Sequence, residues 1–491
     1  MSMIHIQNLT FAYDGSYENV FENISLRLDT DWKLGFTGRN GRGKTTFLNL
    51  LLGKYPYSGT ISASVNFEYF PYEVRDKSNR TSEAIAEIAD FQEWELLREL
   101  NLLDVNEDVL DRPFSTLSNG EQTKVLLAAL FLRENSFLLI DEPTNHLDSA
   151  ARMTVSSYLN SKSGFILVSH DRAFLDNCID HVLSINKTDI EIQKGDFSSW
   201  LYNKELQDNF ELAESEKLKK DIKRLKAAAA QTADWSDRAE KTKRGTRNSG
   251  LRPDTGYIGH KASKMMKRSK AIDERRQAAV EEKSKLLKNV ETAEALKIHP
   301  LAYHSSTLVS LKDVSVRYGD RAVCDPVSFT IQSGDRIALS GKNGCGKSSI
   351  LKLICGEDIP HTGEVKVGSG VKISYIKQDS SGMSGSLEDY AAGLGIDESL
   401  FKAILRKLDF TREQFEHDIS EFSAGQKKKV LLAGSLSEEA HIYIWDEPLN
   451  YIDVISRMQI EELLAEYRPT LLFVEHDNTF CENIASKIIF M

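Results

Sequence analysis

The sequence predicts an α/β protein made of two copies of one domain joined by a long α-helical hairpin. Three observations lead there. The pattern G-x-x-x-x-G-K-[ST] occurs twice, as Gly38-Arg-Asn-Gly-Arg-Gly43-Lys44-Thr45 and as Gly341-Lys-Asn-Gly-Cys-Gly346-Lys347-Ser348. Motifs downstream recur at almost constant offsets: 303 residues for Lys44 and Lys347, 305 for Glu142 and Glu447, 306 for His170 and His476. Between the copies lies a stretch rich in Lys, Glu, Ala and Leu and nearly free of β-branched runs. Matched offsets at three motifs mark an internal duplication. Residues 1–200 form the first copy, 201–302 the linker and 303–491 the second copy.

Composition narrows the setting. A chain of 491 residues exceeds what one core organises. The longest apolar run, Val125 to Leu132, has eight residues, against roughly 20 for a bilayer span. The start, Met-Ser-Met-Ile-His-Ile, reads as a strand and not as a signal sequence. Cys178, Cys324, Cys345, Cys355 and Cys481 show no C-x-x-C spacing, so neither a metal nor a disulfide framework is implied. A reducing cytoplasm is the expected location. Net charge is −11, yet Lys241 to Lys270 holds ten Lys/Arg and one acid, Asp254. An acidic protein that concentrates positive charge in this way points it at an anion. A solvated helical face is the bland alternative.

Each copy alternates short apolar strands with helical stretches, which implies a largely parallel sheet covered by helices. Lys33–Thr37 and Arg336–Ser340 read as strands feeding the two Gly-rich loops. Phe137–Asp141 and His441–Asp446 read as buried strands, as do Ile166–Ser169 and Leu471–Glu475. In the linker, Leu218, Ile222 and Leu225 follow helical spacing, and Leu286, Leu287 and Val290 continue it on the far side. Gly245, Gly250, Pro253, Gly256 and Gly259 interrupt the pattern, which places the hairpin tip at 244–262. Arms of about 40 residues are about 60 Å long.

The chemistry lies at the strand ends. Backbone N–H groups of a Gly-rich turn and the helix it opens cradle phosphate oxygens. Gly38, Gly41 and Gly43 permit that path, Asn40 and Thr46 flank it, Lys44 serves the β- and γ-phosphates and Thr45 serves Mg²⁺. The second copy assigns these roles to Gly341, Asn343, Gly344, Gly346, Lys347, Ser348 and Ser349. Asp141 and Asp446 end apolar strands, an expensive place for charge unless a cation compensates it. They are assigned to Mg²⁺. Glu142 and Glu447 are assigned to the attacking water, and His170 and His476 to the γ-phosphate.

Leu117-Ser118-Asn119-Gly120-Glu121-Gln122 and Phe422-Ser423-Ala424-Gly425-Gln426 resemble the signature sequence of the ATP-binding cassette family. The resemblance implies two cassettes closing head-to-tail on two ATP molecules with Mg²⁺. Ser423 and Gly425 then complete the Lys44 site, and Ser118 and Gly120 the Lys347 site. Tyr13 and Tyr318 match the adenine-stacking aromatic, although packing is an equal reading. Leu147-Asp148 and Ile452-Asp453 match the loop that crosses the interface. Three departures imply unequal sites. Gln378 matches the family's Mg²⁺-contacting Gln, but copy one carries Tyr72 there. Copy two's signature begins with Phe422, and it reads Pro-Leu-Asn-Tyr-Ile-Asp after Glu447 where copy one has Pro-Thr-Asn-His-Leu-Asp.

Tandem cassettes, a charged helical spacer and the segment Lys194-Gly-Asp-Phe-Ser-Ser-Trp200 resemble the ABC-F family over the whole length. Only about 44 residues separate Tyr72 from Leu117, which leaves no room for an inserted arm, and the chain stops after an apolar strand. That compactness, with Trp445-Asp-Glu-Pro-Leu-Asn-Tyr-Ile-Asp453, resembles the antibiotic-resistance subgroup (Lsa and Vga type). The resemblance implies a monomer with intramolecular cassette pairing that binds the tRNA exit site of the 70S ribosome. Its linker would reach P-site tRNA and large-subunit rRNA near the peptidyl transferase centre, relieving lincosamides, streptogramins A and pleuromutilins. The linker residues matched to RNA contact are Lys241, Lys243, Arg244, Arg247, Arg252, Tyr257, Lys261, Lys264, Lys267 and Arg268, with Lys270 alongside and Trp235 as a second stacking candidate. A housekeeping translation factor, a DNA-associated ATPase and a transport ATPase are the competing readings.

Overall fold

The computed structural model describes residues 2–15, 19–145, 147–186, 189–241, 254–286, 296–318 and 321–491. By contacts the chain divides into two units: Met1–Ser198 with Ala293–Met491, and Ser199–Thr292.

In the first unit each cassette is built on a twisted parallel sheet. In cassette one the order is Asn66–Phe70, Ser136–Asp141, Phe165–Val168, Lys33–Thr37, His181–Ile185 and Ile190–Lys194, with only the last strand antiparallel. Cassette two repeats it as Ile373–Ile376, Ile442–Asp446, Leu471–Val474, Arg336–Ser340 and Lys487–Phe490, all parallel. The central strands are short, apolar and buried on both faces, as a helix-covered parallel sheet requires, while the edge strands are partly exposed. The two strands that feed the Gly-rich loops have the bounds the sequence predicts.

Each cassette also carries an antiparallel sheet that the alternating pattern did not announce. Met3–Phe11 pairs with Phe21–Asp29 and Ser58–Ser62, and Thr307–Tyr318 pairs with Arg321–Ala322, Val327–Gln332 and His361–Val367. The helix Lys44–Leu51 is packed between the two sheets of cassette one through Phe47, Leu48, Leu50 and Leu51. Ile350, Leu351, Leu353 and Ile354 of Lys347–Ile354 do the same in cassette two. The Gly-rich loop is thus held from behind by a rigid sandwich.

The helix Phe197–Lys241 starts on cassette one. Phe197 is buried, and the Ser198 amide and hydroxyl bond the Asp176 carboxylate at 2.7 and 2.5 Å. This helix runs 45 residues in all, from Ser199 onward in the second unit, and a second helix there, Thr255–Leu286, runs 32. The predicted tip at 244–262 is therefore too long: residues 255–262, Gly256 and Gly259 included, are helical. Asp254 overrides the glycines by accepting the Tyr257 amide at 3.0 Å, as an N-terminal cap does. The remaining predicted tip, with Leu287 and Val290, lies outside the described residues. No described helix is long and apolar enough to cross a membrane.

One buried ion pair ties cassette two together. Lys429 and Asp453, 4% and 1% exposed, sit 2.9 Å apart, and Lys429 also bonds the Leu408 carbonyl. Lys429→Met leaves a buried carboxylate unpaired and is expected to cost roughly 3–5 kcal/mol in chemical denaturation. Adding Asp453→Leu should recover most of that loss; no recovery would refute the pairing energy.

Candidate nucleotide sites at the cassette interface

Strand register gathers the chemistry. Phe36 and Asp141 both pair with Val168, so the loop after Thr37, the acids at 141–142 and Ser169-His170 share one sheet edge. Ala338, Phe473, Val474 and Asp446 repeat the arrangement. Gly43 and Gly346 adopt φ of 94° and 93°, left-handed values that turn each loop into its helix. The Lys44 ammonium folds back on its loop, 2.6 Å from Gly38 O, 3.2 Å from Arg39 O and 3.4 Å from Asn40 Oδ1. Lys347 does likewise with Gly341 O at 2.7 Å and Lys342 O at 3.0 Å. Burial lowers the Lys44 pKa. Each loop thus holds a cation against its own carbonyls at the start of a helix, an arrangement that fits a polyphosphate.

The carboxylates behind it are strained and largely shielded from solvent. Glu142 and Glu447 both have positive φ, 51° and 48°, a conformation rare for a side chain of this size. Glu142 Oε1 is 3.3 Å from His170 Nε2, and Glu447 Oε1 is 3.4 Å from His476 Nε2. Beyond that the two sites diverge. Burial and Asp141 push Glu142 up to about 8. Burial also works against ionised Glu447, but His476 and Gln378 hydrogen-bond it and bring it down to about 2. Asn450 Nδ2 donates to Glu447 Oε2 at 2.7 Å. Burial drives His170 well below its usual value, so it is neutral beside Glu142.

The metal-assigned residues fit a divalent cation. Thr45 Oγ1 donates to Asp141 Oδ2 at 3.2 Å. Burial raises Asp446 to about 6, partly opposed by the Ser348 hydroxyl. Both of its oxygens are buried with no full hydrogen bond among the described residues, as expected of a group that a cation would satisfy. Gln378 stands against Glu447 and lines the same cavity as Ser348. Sequence reasoning missed Tyr69, whose hydroxyl donates to Asp141 Oδ2 at 3.0 Å, and its counterpart Tyr375 beside Asp446. Their recurrence three residues before Tyr72 and Gln378 was the available signal.

The cassettes meet head-to-tail. At the Lys347 loop a cavity of about 960 Å³ is lined on one side by Lys342–Gly344 and Gly346–Ser349, with Glu447 and His476. Its other wall is Ser118, Gly120 and Lys124 of cassette one, with Asp148. The Lys44 loop instead touches cassette two directly. Asn40 Nδ2 donates to Tyr451 O at 2.7 Å. A Cβ on Gly425 would lie 2.6 Å from that carbonyl and 3.1 Å from Asn40 Nδ2, whereas one on Gly120 would meet nothing nearer than Leu147 at 3.6 Å. Ser118 and Ser423 both cap their signature helices, accepting the amides of Glu121 and Gln426 at 3.2 and 3.3 Å. Elsewhere Arg152 NH1 reaches His476 O at 3.1 Å, and Arg172 pairs with Glu461.

The remaining predicted residues divide. Asn343 and Ser349 line the cavity. Tyr13 donates to or accepts from Thr46 Oγ1 at 2.6 Å, packs edge-on against Phe11 and Tyr55, and is half exposed. The Tyr318 side chain lies outside the described residues. In the linker Tyr257, Lys261, Lys264, Lys267, Arg268 and Lys270 are exposed, as is Trp235. The Lys241 side chain, Lys243, Arg244, Arg247 and Arg252 lie outside the described residues.

The two glutamates should respond oppositely to neutralisation in the nucleotide-free protein. Glu142, held at about 8 against 4.5, supplies stability that is present below 4.5 and lost as pH rises through 8. Glu447, held at about 2, supplies stability that is present above 4.5 and lost as pH falls toward 2. At pH 8, Glu142→Gln is expected to raise Tm by roughly 2–4 °C and Glu447→Gln to lower it by a similar amount. Differential scanning calorimetry at pH 5 and 8 measures this; the reverse order would refute the assignment.

Comparison with known proteins agrees with this geometry. The family model described as "ABC transporter" matches residues 21–145 and 324–450. The chain is 29% identical to the ribosome protection protein VmlR of Bacillus subtilis, over 97% of this chain and 85% of that one. It is 25% identical to ABC transporter F family member 2 of Arabidopsis thaliana, over 99% and 76%. The archaeal ribosome recycling factor aABCE1, solved in complex with the ribosomal stalk protein aP1, superposes with a TM-score of 0.64 at 18% identity, covering 98% of this chain and 87% of that chain. Domains of this kind bind ATP, typically with Mg²⁺, and hydrolyse it. With both matched segments carrying a complete Gly-rich loop, acid pair and signature, the chain belongs to the ABC transporter family as a tandem-cassette ATPase.

Proposed function

We propose that this protein is a ribosome-binding ATPase of the ABC-F kind that protects the peptidyl transferase centre from antibiotics. The observation that carries the reading is full-length similarity to a ribosome protection protein, joined to an interdomain unit that exposes cations and aromatics. Lys261, Lys264, Lys267, Arg268 and Lys270 project along one helix with Tyr257 near its start, a combination suited to phosphates and unstacked bases. With ATP bound the cassettes hold the closed form, which fits the tRNA exit site. The linker then shifts P-site tRNA and displaces lincosamides, streptogramins A or pleuromutilins, and hydrolysis resets the cycle. ATP must favour the closed state by a real difference in affinity.

The proposed chemistry uses two ATP sites of unequal turnover. Lys347 and the amides of its loop bind the phosphates, the signature helix capped by Ser118 faces them from the other cassette, and Ser348 with Asp446 would hold Mg²⁺. That ion supplies charge neutralisation on the phosphates. Glu447, kept ionised, orients the attacking water, with His476 beside it. Glu142, raised by burial and by Asp141, is mostly protonated at neutral pH and is the less available of the two as a proton acceptor.

Glu142→Gln with Glu447→Gln is expected to cut hydrolysis by 10² or more, within the range for a catalytic base, and to trap the protein on 70S ribosomes. Sedimentation with ATP that shows no more ribosome association than wild type would overturn the reading. The chain is equally full in its coverage of relatives whose names carry no drug role, at 25–26% identity, which leaves room for a second reading: a housekeeping factor without drug specificity. Expression in a susceptible host separates the two, since protection predicts a several-fold rise in lincosamide or pleuromutilin tolerance and the housekeeping role predicts none.

A further inference from the structure

The duplication makes each cassette a control for the other. The helix Glu93–Leu102 of cassette one and its counterpart Glu398–Lys407 both end in an aspartate of positive φ, Asp104 at 52° and Asp409 at 68°. Each amide bonds the carbonyl three residues back, Asn101 and Arg406, so the two turns are built alike. Asp104 lines the cavity at the Lys347 loop. Asp409 faces the Lys44 loop and pairs with two of its side chains, Arg39 Nε at 3.6 Å and Arg42 NH2 at 3.7 Å. Arg39 also donates to Gln459 of cassette two at 3.4 Å. In the Lys347 loop those two positions hold Lys342 and Cys345.

We infer that Asp409, with Arg39 and Arg42, forms an ionic latch across the cassettes that gates nucleotide loading at the Lys44 site. The inference rests on the ATP reading above. Arg39 is buried, and Asp409 and Gln459 of the other cassette are among the groups that meet its guanidinium. The same contacts hold Asn40 on Tyr451 and press Gly425 against that carbonyl, where the signature must withdraw before phosphates enter. At the Lys347 site a planar five-donor guanidinium is replaced by a flexible ammonium at one position and by an uncharged thiol at the other. Asp104 therefore faces neither arginine, and a cavity of about 960 Å³ lies at this site. The latched site loads slowly and the open site exchanges.

Stopped-flow binding of a fluorescent ATP analogue with Mg²⁺ tests this on the full chain. Lys347→Ala silences one site and reports the Lys44 site alone; Lys44→Ala reports the other. In the Lys347→Ala background, Asp409→Asn, which tolerates the left-handed turn, is expected to speed loading roughly tenfold, equivalent to about 1.4 kcal/mol. In the Lys44→Ala background it should change nothing. The reciprocal graft, Lys342→Arg with Cys345→Arg, should slow the Lys347 site by a similar factor, and Asp104→Asn should reverse that slowing. An unchanged rate for Asp409→Asn, or a graft that fails to slow loading, overturns the latch while leaving the ATP reading in place. Absence of analogue binding in both backgrounds overturns both.

Discussion

Four carboxylates, Asp141, Glu142, Asp446 and Glu447, stand at the ends of two strands buried in apolar surroundings, and much of the molecule is arranged around the cost of keeping them there. An ionised carboxylate in such a place is tolerated only with partners. The surrounding elements supply them from three directions: the sheet offers Tyr69, the helix after the Gly-rich loop offers Thr45, and the neighbouring strand end offers His170 or His476. The remaining deficit is itself informative. Orphaned oxygens on Asp446 and a raised Glu142 are unfavourable, and each is a group that a cation or a water would satisfy.

Divergence between the copies acts on this shared frame. Strands, loop glycines and capped signature helices coincide, so the two sites share one backbone solution. What differs is the second ring of side chains. His476 and Gln378 hold Glu447 ionised, and copy one has Tyr72 in place of Gln378. Tyr451 brings its carbonyl onto Asn40, and arginines of one Gly-rich loop reach an aspartate of the other cassette. A duplicated domain thereby holds two chemically different sites without changing its fold.

Most of the fold was legible because its signals are local. Gly-rich loops, the apolar strands Lys33–Thr37 and Arg336–Ser340 and the acids after Ile140 and Trp445 each occupy a few consecutive residues. The antiparallel sheets were not legible, since Met3–Phe11 and Ser58–Ser62 pair over a long sequence distance and neither alternates strictly. The linker tip was drawn too long because glycine was weighed without the Asp254 cap that offsets it. Within the sites, the phosphate-binding and acidic residues were readable from motifs. Tyr69 and Asp409 were not, because their roles depend on partners 72 residues away in one case and in the other cassette in the second.

The clamp of Ser198 on Asp176 has a mechanical consequence. A helix of 45 residues is about 67 Å long, so its root acts as the short end of a lever. Two hydrogen bonds at 2.7 and 2.5 Å, with buried Phe197 beside them, couple that root to the body of cassette one. The clamp therefore sets the direction of the helix's first turn, and every later turn of a continuous helix inherits that direction.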